Sequence, residues 1–481
     1  MYDFTIIGGG VIGTLIAREL SRYEGKVLLV DKENDLGNHA TLANSAIIHS
    51  GHDPKPGTLK AKLAVEGNAL YDQLAKDLDI PLLRTGAYVV AHDDEEINVL
   101  NDLIDRAKAN SVNDYALLDG DTARKADPNI SKTIKKVLSL PSTKVTYPWE
   151  IALAAMENAL ANGAEYRLNY EVKAITQTAT HFILENQNGE KLTTHAIINA
   201  AGTFADLVAK MVESNVEYTI TPRRGEYFVL DKQVKGFIKH ILYPVPSNKG
   251  KGVLLVPQVH GNILLGPTSN FQDARETVGN HASDLEQIRE DANRLADGIP
   301  YDLIIRTFAG LRATSTHDDF YIQASKTVKN FYHVAGIDSP GLTAAPAIAR
   351  YVIDHLLQPK HTLTKKTHFN PIRKKPSVFH TLDKQSQHDL MKQNPLYGHI
   401  VCKCERISEA EIIDHINRPC GSSTIKGVKK RARAGSGLCQ GGYCESDVLR
   451  IISEVKKIDK TRIDYYALNT PILREETKVK K

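Results

Sequence analysis

Cysteine is missing from the first 401 residues of this 481-residue chain. That absence excludes a disulfide framework for the bulk of the molecule and fits a reducing cytoplasm. Also missing is any apolar run of the roughly 18 residues that a membrane-spanning helix needs, so no transmembrane helix is expected. The first residues, Met1-Tyr2-Asp3-Phe4-Thr5, lack a basic stretch and enter a strand at once, so no signal peptide is apparent. Nor are the cations gathered into a stripe. Residues 359–481 hold 25 Lys+Arg against 13 Asp+Glu, and residues 1–358 hold 36 against 44. The basic residues of the tail are dispersed, which argues against a nucleic-acid surface.

The cysteines that are present fall together: Cys402, Cys404, Cys420, Cys439 and Cys444. Four of them spell C-x-C, then 34 residues, then C-x4-C. Two close pairs on a long arm are how a chain folds four thiolates around one inorganic centre. Zinc is the alternative to an iron–sulfur cluster, although this spacing is uncommon for zinc. A four-thiolate cluster is negatively charged, and the cations of the tail offset it. Cys420 stands outside the pattern and is expected to be a buried structural thiol. A cluster would make the protein a handler of electrons, which raises the question of what supplies them.

A chain of this length with 42% hydrophobic residues holds two or three domains. The first announces itself at residues 4–10, Phe-Thr-Ile-Ile-Gly-Gly-Gly. A buried strand runs into Gly8, Gly10 and Gly13 (G-x-G-x-x-G), and a helical pattern follows through Leu15, Ile16 and Leu20. A second apolar strand, Lys26–Val30, ends in Asp31. The glycines allow a tight turn and close approach of a pyrophosphate to the helix N-terminus. Asp31 is placed to bind the ribose hydroxyls. The glycines alone do not separate FAD from NAD.

Three later segments add to this site: Asn-Ser-Ala-Ile-Ile-His-Ser-Gly at 44–51, Ala-Ile-Ile-Asn-Ala-Ala-Gly-Thr-Phe-Ala-Asp at 196–206, and Val-Ala-Gly-Ile-Asp-Ser-Pro-Gly-Leu-Thr-Ala-Ala-Pro at 334–346, followed by a helix over 347–357. Together with Lys60-Ala-Lys-Leu63, Thr221-Pro-Arg-Arg-Gly-Glu-Tyr227 and Gly310-Leu-Arg312, they resemble the D-amino-acid-oxidase-like family of FAD oxidoreductases. Within it the chain is most similar to FAD-dependent glycerol-3-phosphate dehydrogenases and oxidases, and next to L-2-hydroxyglutarate dehydrogenases. The resemblance covers about residues 3–358. It implies an α/β architecture, with a Rossmann-like FAD domain built from about 1–85, 140–215 and 305–358. A mixed antiparallel substrate sheet of about 216–304 would cover the flavin; strand-like runs at 225–231, 253–257 and 262–266 agree.

The resemblance also implies roles. Asn44, Ser45, Val172, Ala201, Gly202, Gly336, Gly341, Leu342 and Thr343 would join Gly8, Gly10, Gly13 and Asp31 around a non-covalently bound FAD. Alcohol oxidation needs a base for the hydroxyl proton and cations for the anionic end of the substrate. His49 is the expected base, and His52, in the same loop, is expected to face solvent. Arg312 is the expected anion clamp, since a planar fork of donors matches phosphate or carboxylate. Ala313 follows it where the resembling enzymes usually have proline. Ser339 and Lys251 are further candidate phosphate contacts. Of Arg223 and Arg224, at least one is expected to be structural.

Residues 359–396, with four prolines and many Lys and His, read as a linker. From about 397 to 455 the chain resembles the bacterioferritin-associated-ferredoxin-like 2Fe–2S domain, through Cys402-Lys-Cys404, a helical 408–417, the glycine-basic stretch 427–437 and Cys439-Gln-Gly-Gly-Tyr-Cys444. The module resembles the C-terminus of anaerobic-type glycerol-3-phosphate dehydrogenase large subunits. Residues 456–481 read as a basic terminal extension. The leading expectation is a dehydrogenase that takes sn-glycerol 3-phosphate to dihydroxyacetone phosphate. Its electrons would leave through the cluster to an acceptor protein or a quinone pathway, and peripheral membrane contact stays open. The alternatives are an L-2-hydroxy acid such as 2-hydroxyglutarate, an amine or amino acid, or a non-catalytic electron-transfer or redox-sensing subunit.

Overall fold

The computed structural model describes residues 1–246, 252–374 and 376–475. The chain forms two compact units, one of Met1–Lys32 with Leu36–Arg373 and one of Glu33–Asp35 with Lys374–Lys481.

The first unit is built on two large sheets. In the eight-stranded sheet, Tyr2–Ile7 lies between Val27–Val30 and Lys191–Asn199, parallel to both. Glu165–Arg167 and Phe331–Ala335 extend the parallel set on either side. Val27–Val30 and Phe331–Ala335 are buried throughout, which is why they read as unbroken apolar runs. Three chain regions thus meet at the carboxyl ends of adjacent parallel strands, where open α/β sheets bind their ligands.

The helix after the third of these strands spans Gly341–Tyr351 and runs on through Val352–Leu357. It starts six residues earlier than the sequence suggested, with Pro346 inside it. Proline has no N–H for the carbonyl of residue 342. The Tyr71 hydroxyl, from helix Leu59–Leu78, donates to that carbonyl at 2.6 Å. Gly67 of the same helix lets the two backbones touch: a Cβ there would lie 2.1 Å from Thr343 O.

The nine-stranded sheet carries Arg223 and Arg312. Ile220–Leu230 pairs along its length with Ile304–Ser315. On the other side it pairs with Ile263–Gly266, and the sheet continues through Leu254–Pro257 and Ile241–Pro244. Beyond these it recruits Ala87–Ala91, Lys136–Ser139 and Ala116–Asp119. The expected span of 216–304 is therefore too narrow. Strands from 87–139 and the strand carrying Arg312 belong to this sheet, because pairing partners far apart in sequence complete it. Arg312 sits mid-strand, opposite Arg223, so Ala313 disturbs no loop.

The second unit has its own core of Val401, Ile407, Ile412, Ile416, Val428, Ile451 and Ile452, among others. A hairpin of Ile400–Cys402 and Ile407–Ser408 leads into helix Glu409–Asn417, whose N-terminus is closed by a capping box of Ser408 and Glu411. Helices Ile425–Ala432 and Glu445–Lys456 complete it. Two sequence expectations change here. The stretch 359–396 is not a bare linker: Arg373 is anchored in the first unit, bonding Glu157 at 2.6 Å and Leu78 O at 3.2 Å, and Lys384–Gln393 is a helix capped by Asp383. Likewise, the start of the basic extension packs. Ile463 is 1% exposed and Tyr465 and Leu473 lie against the same core. Isolated apolar residues plug the core one by one, without the periodicity that would reveal them.

Candidate active site

The glycine loop shows why only glycine fits it. Gly8 has φ 117°, and a Cβ on it would lie 2.3 Å from Ala200 O. On Gly13 a Cβ would lie 1.9 Å from Gly8 O. The loop backbone is thereby pressed against the turn that holds Ala201 and Gly202. Asp31 accepts the Gly9 N–H at 2.5 Å, so its carboxylate stands at the loop. Val172 is buried with Ile7, Leu28 and Val30. Helix Val11–Leu20 begins directly after Gly10. Close backbone, a helix N-terminus and an acid at the second strand end fit the pyrophosphate and ribose of a dinucleotide.

Segments 44–51 and 334–346 are stitched together. The His49 N–H donates to Thr343 Oγ1 at 2.9 Å, and Asn68 Nδ2 donates to the His49 carbonyl at 2.8 Å. Lys144, its charge buried beside Asp72, donates in turn to Asn68 Oδ1 at 3.0 Å; burial pulls its pKa below the usual lysine range. Asn44 braces its own loop, donating to Ala40 O and Thr41 O and accepting from the Ala46 N–H. His49 is buried, with Nδ1 3.0 Å from the Tyr243 hydroxyl. Burial, helped by Asp53, pushes the Tyr243 pKa well above the usual phenol value, so this partner stays a neutral phenol. His52 does not face solvent: it is 5% exposed, with Nδ1 2.9 Å from Ser50 Oγ and its ring 6.4 Å from that of Tyr243. The loop folds back beneath the strand of Tyr243 and carries both histidines inward.

Alternation along Ile220–Leu230 sorts the two neighbouring arginines onto opposite faces. Arg223, Gly225 and Tyr227 share one face with Arg312, Gly310 and Phe308, their direct cross-strand partners. Tyr227 and Phe308 stack at 4.5 Å, and the Tyr227 hydroxyl is 3.2 Å from Ser45 Oγ. A Cβ on Gly310 would lie 2.0 Å from Ala43 O, so loop 43–45 rests on this face. The Arg312 guanidinium lies over Gly225, where a Cβ would come within 2.8 Å of it, and donates to Thr268 O at 3.2 and 3.3 Å. Arg224 points the other way, pairing with Glu226 at 3.0 Å and Asp284 at 3.1 Å. It is the structural arginine of the two. Glu226, His281 and Asp284 lie within 4.8 Å of one another, but Arg224 already supplies their cation.

Ser339 is exposed beside Asp338, which pairs with Lys60 at 2.8 Å and Arg223 at 3.7 Å. Gly336 takes φ 66° at the turn before it, and Gly341 and Leu342 open the following helix. Lys251 lies outside the described residues. Sequence reasoning missed Tyr243, which sits in an ordinary apolar strand and carries no motif, and gave no role to Tyr227, the last residue of the 221–227 segment.

In the second unit, Cys404 Sγ and Cys439 Sγ are 3.9 Å apart. Cys402 Sγ accepts the Gly435 N–H at 3.5 Å. A hydrogen bond from the Cys444 thiol, backed by Gly435, holds the Cys402 pKa down to about 6, and the same bond pushes Cys444 far up. Sulfurs near enough to share a proton are near enough to share a metal. A Cβ on Gly437 would lie 2.4 Å from Cys404 Cβ, so that glycine makes room for the pair. Cys444 immediately precedes helix Glu445–Lys456. Cys420 is 1% exposed, and its carbonyl accepts from Arg431 Nε at 2.6 Å. The four thiols fit a 2Fe–2S cluster.

Among the described residues, no helix is long and apolar enough to cross a membrane. Comparison with known proteins agrees with both cofactors. Residues 3–355 match the family described as FAD dependent oxidoreductase, and residues 400–454 match the BFD-like [2Fe-2S] binding domain. The glycerol 3-phosphate dehydrogenase of Caloramator mitchellensis is 41% identical over 478 residues, covering 99% of each chain. The mitochondrial L-2-hydroxyglutarate dehydrogenase of Nematostella vectensis is 28% identical over 73% of this chain and 90% of its own. Among solved structures, the FAD-bound, dithionite-reduced L-alpha-glycerophosphate oxidase of Mycoplasma pneumoniae superposes with a TM-score of 0.75. It is 30% identical and covers 78% of this chain and 99% of its own. The chain belongs to the FAD dependent oxidoreductase family, carries a C-terminal 2Fe–2S domain, and has FAD and a 2Fe–2S cluster as its cofactors.

Proposed function

We propose that the enzyme oxidises sn-glycerol 3-phosphate to dihydroxyacetone phosphate and sends the electrons through its 2Fe–2S centre to an acceptor protein or a quinone pathway. The observation that carries this reading is the cationic sheet face: Arg312 shares its face with Gly310 and Tyr227, on which loop 43–45 packs through Ala43 and Ser45. Similarity along the full length to a glycerol 3-phosphate dehydrogenase supports it. None of the five cysteines is in a disulfide, in keeping with a reducing cytoplasm.

Bound FAD supplies the acceptor for the hydride of the substrate carbon, and the cluster supplies a one-electron exit. The chain's own residues do the rest. His49 takes the hydroxyl proton on Nε2; in that role Nδ1 carries the ring proton and donates to the Tyr243 oxygen. Thr343 and Asn68 fix the His49 backbone, so the imidazole is delivered from a set position. Arg312, oriented by Thr268 O, binds the phosphate, with Ser339 as a further contact. Asp31 and the glycine loop hold the ribose and pyrophosphate of FAD.

The test is anaerobic mixing of the purified protein with candidate substrates while the visible flavin absorption is followed. Glycerol 3-phosphate should bleach it, 2-hydroxyglutarate slowly or not at all, and free glycerol very poorly. Faster bleaching by 2-hydroxyglutarate would hand the site to a hydroxy-acid substrate. An Arg312→Gln enzyme should bind glycerol 3-phosphate about ten- to a hundredfold more weakly, as expected for loss of a charge-assisted hydrogen bond.

A further inference from the structure

Arg223 and Arg312 are directly opposed across two antiparallel strands and project from the same face. Like charges so placed repel. A sheet with no use for the pair would put a neutral or acidic residue at one position, as it does one step along, where Leu311 stands opposite Arg224. The pair is only thinly neutralised. Among the described residues the carboxylate paired with Arg223 is Asp338, at a long 3.7 Å, and Lys60 holds that same carboxylate at 2.8 Å. Thr314 Oγ1 donates to it too, at 3.4 Å. Nε of Arg223 is buried with no hydrogen-bond partner among the described residues. Burial and the nearby Arg312 charge together pull the Arg223 pKa below the usual guanidinium range, the opposite of what a satisfied ion pair does. Phe271 flanks the group, with the guanidinium carbon 5.8 Å from the ring centroid.

We infer that Arg223 is the second arm of the anion clamp, and that Arg223 and Arg312 together select a dianionic phosphate over a singly charged carboxylate. The inference rests on the proposed substrate site and adds to it the residue that sets charge preference. Asp338 acts as the placeholder anion: it keeps Arg223 turned toward the Ser339 turn until the substrate phosphate takes its place. Two planar forks offer donors enough for the three terminal oxygens of a phosphate, whereas a carboxylate has two.

The experiment uses the full-length holoenzyme and three probes: glycerol 3-phosphate, inorganic phosphate as a competitor, and 3,4-dihydroxybutyrate, which puts a carboxylate where the phosphate would be. Binding is read from the perturbation of the flavin spectrum, and chemistry from the limiting rate of flavin reduction. Arg223→Gln should weaken glycerol 3-phosphate and inorganic phosphate about tenfold or more, weaken the carboxylate analogue much less, and leave the limiting rate nearly unchanged, the signature of lost uniform binding. Arg223→Lys should recover part of the affinity. Asp338→Asn should bind glycerol 3-phosphate as tightly as the parent or more so, since the internal competitor is gone.

The inference is overturned if Arg223→Gln keeps full phosphate affinity while Arg312→Gln loses it. It is equally overturned if Arg223→Gln and Asp338→Asn weaken binding alike, because the two would then form only a structural pair. Failure of the substrate reading looks different. Glycerol 3-phosphate would then fail to reduce the parent flavin, yet inorganic phosphate would still perturb its spectrum in an Arg223-dependent way.

Discussion

The two cofactor sites are built on opposite plans. In the flavin unit, the site comes from backbone and from contacts between distant segments. His49 bonds Thr343 across 294 positions, and Ser45 meets Tyr227 across 182. In the cysteine unit, the ligands are side chains and the contacts are shorter in sequence: Gly435 to Cys402 across 33 positions, Cys404 to Cys439 across 35. A site made of side chains at short range survives as a spacing in the sequence. One made of backbone at long range survives only as the glycines and small residues that permit the approach.

The largest expected effect tests whether the two sites are independent. Replacing Cys402 and Cys444 together by serine removes half of the thiolates and should abolish the cluster, read as loss of iron and acid-labile sulfide. FAD content and bleaching of the flavin by substrate should remain, while turnover with a one-electron acceptor should fail. If FAD is lost as well, the two plans are one structure and the comparison collapses.

Next in size is His49→Ala. A general base contributes about 10²–10⁴-fold to rate, so single-turnover flavin reduction should fall by that factor while glycerol 3-phosphate affinity changes little. Near-normal reduction would leave His49 with the loop-bracing role that its bonds to Thr343 and Asn68 already provide. Iron content should not change, which keeps this loss on the flavin side.

These two expectations mark how much was legible. The cysteine set could be read from spacing alone, because short spacing is itself geometry. The glycine loop and Asp31 could be read because strand, turn, helix and acid follow in order. What could not be read is register. Arg223 and Arg224 are neighbours with the same chemistry, and a one-residue slip exchanges the faces they occupy. Only the pairing of Arg223 with Arg312 separates clamp from scaffold. His52 was misjudged for a related reason: loop residues are expected at the surface, and nothing local shows that this loop turns inward under Tyr243. The packed Ile463 was hidden by the absence of any period around it.

Asp31→Ala sharpens the flavin side further. Its carboxylate takes the Gly9 N–H and is proposed to take ribose hydroxyls as well. Loss of a charged acceptor costs about 1.5–3 kcal/mol, so FAD should dissociate at least about tenfold more readily, as measured by retention on dilution. Iron content should hold. Unchanged retention would confine Asp31 to bracing the glycine loop.

The smallest effect concerns the fifth cysteine and bounds the cysteine side of the comparison. Cys420 is buried, and its backbone carbonyl accepts from Arg431, a contact that survives any side-chain change. Cys420→Ala removes a buried sulfur from the core. That should lower stability by about 1 kcal/mol, on the scale of one buried methylene, seen as a slightly lower denaturation midpoint. The cluster's absorption, iron and sulfide should match the parent. The contrast with the Cys402 and Cys444 replacement is the informative part: equal burial, opposite consequence. A Cys420→Ala protein that loses its iron would make this thiol a ligand, and the C-x-C and C-x4-C pairs would no longer account for the centre by themselves.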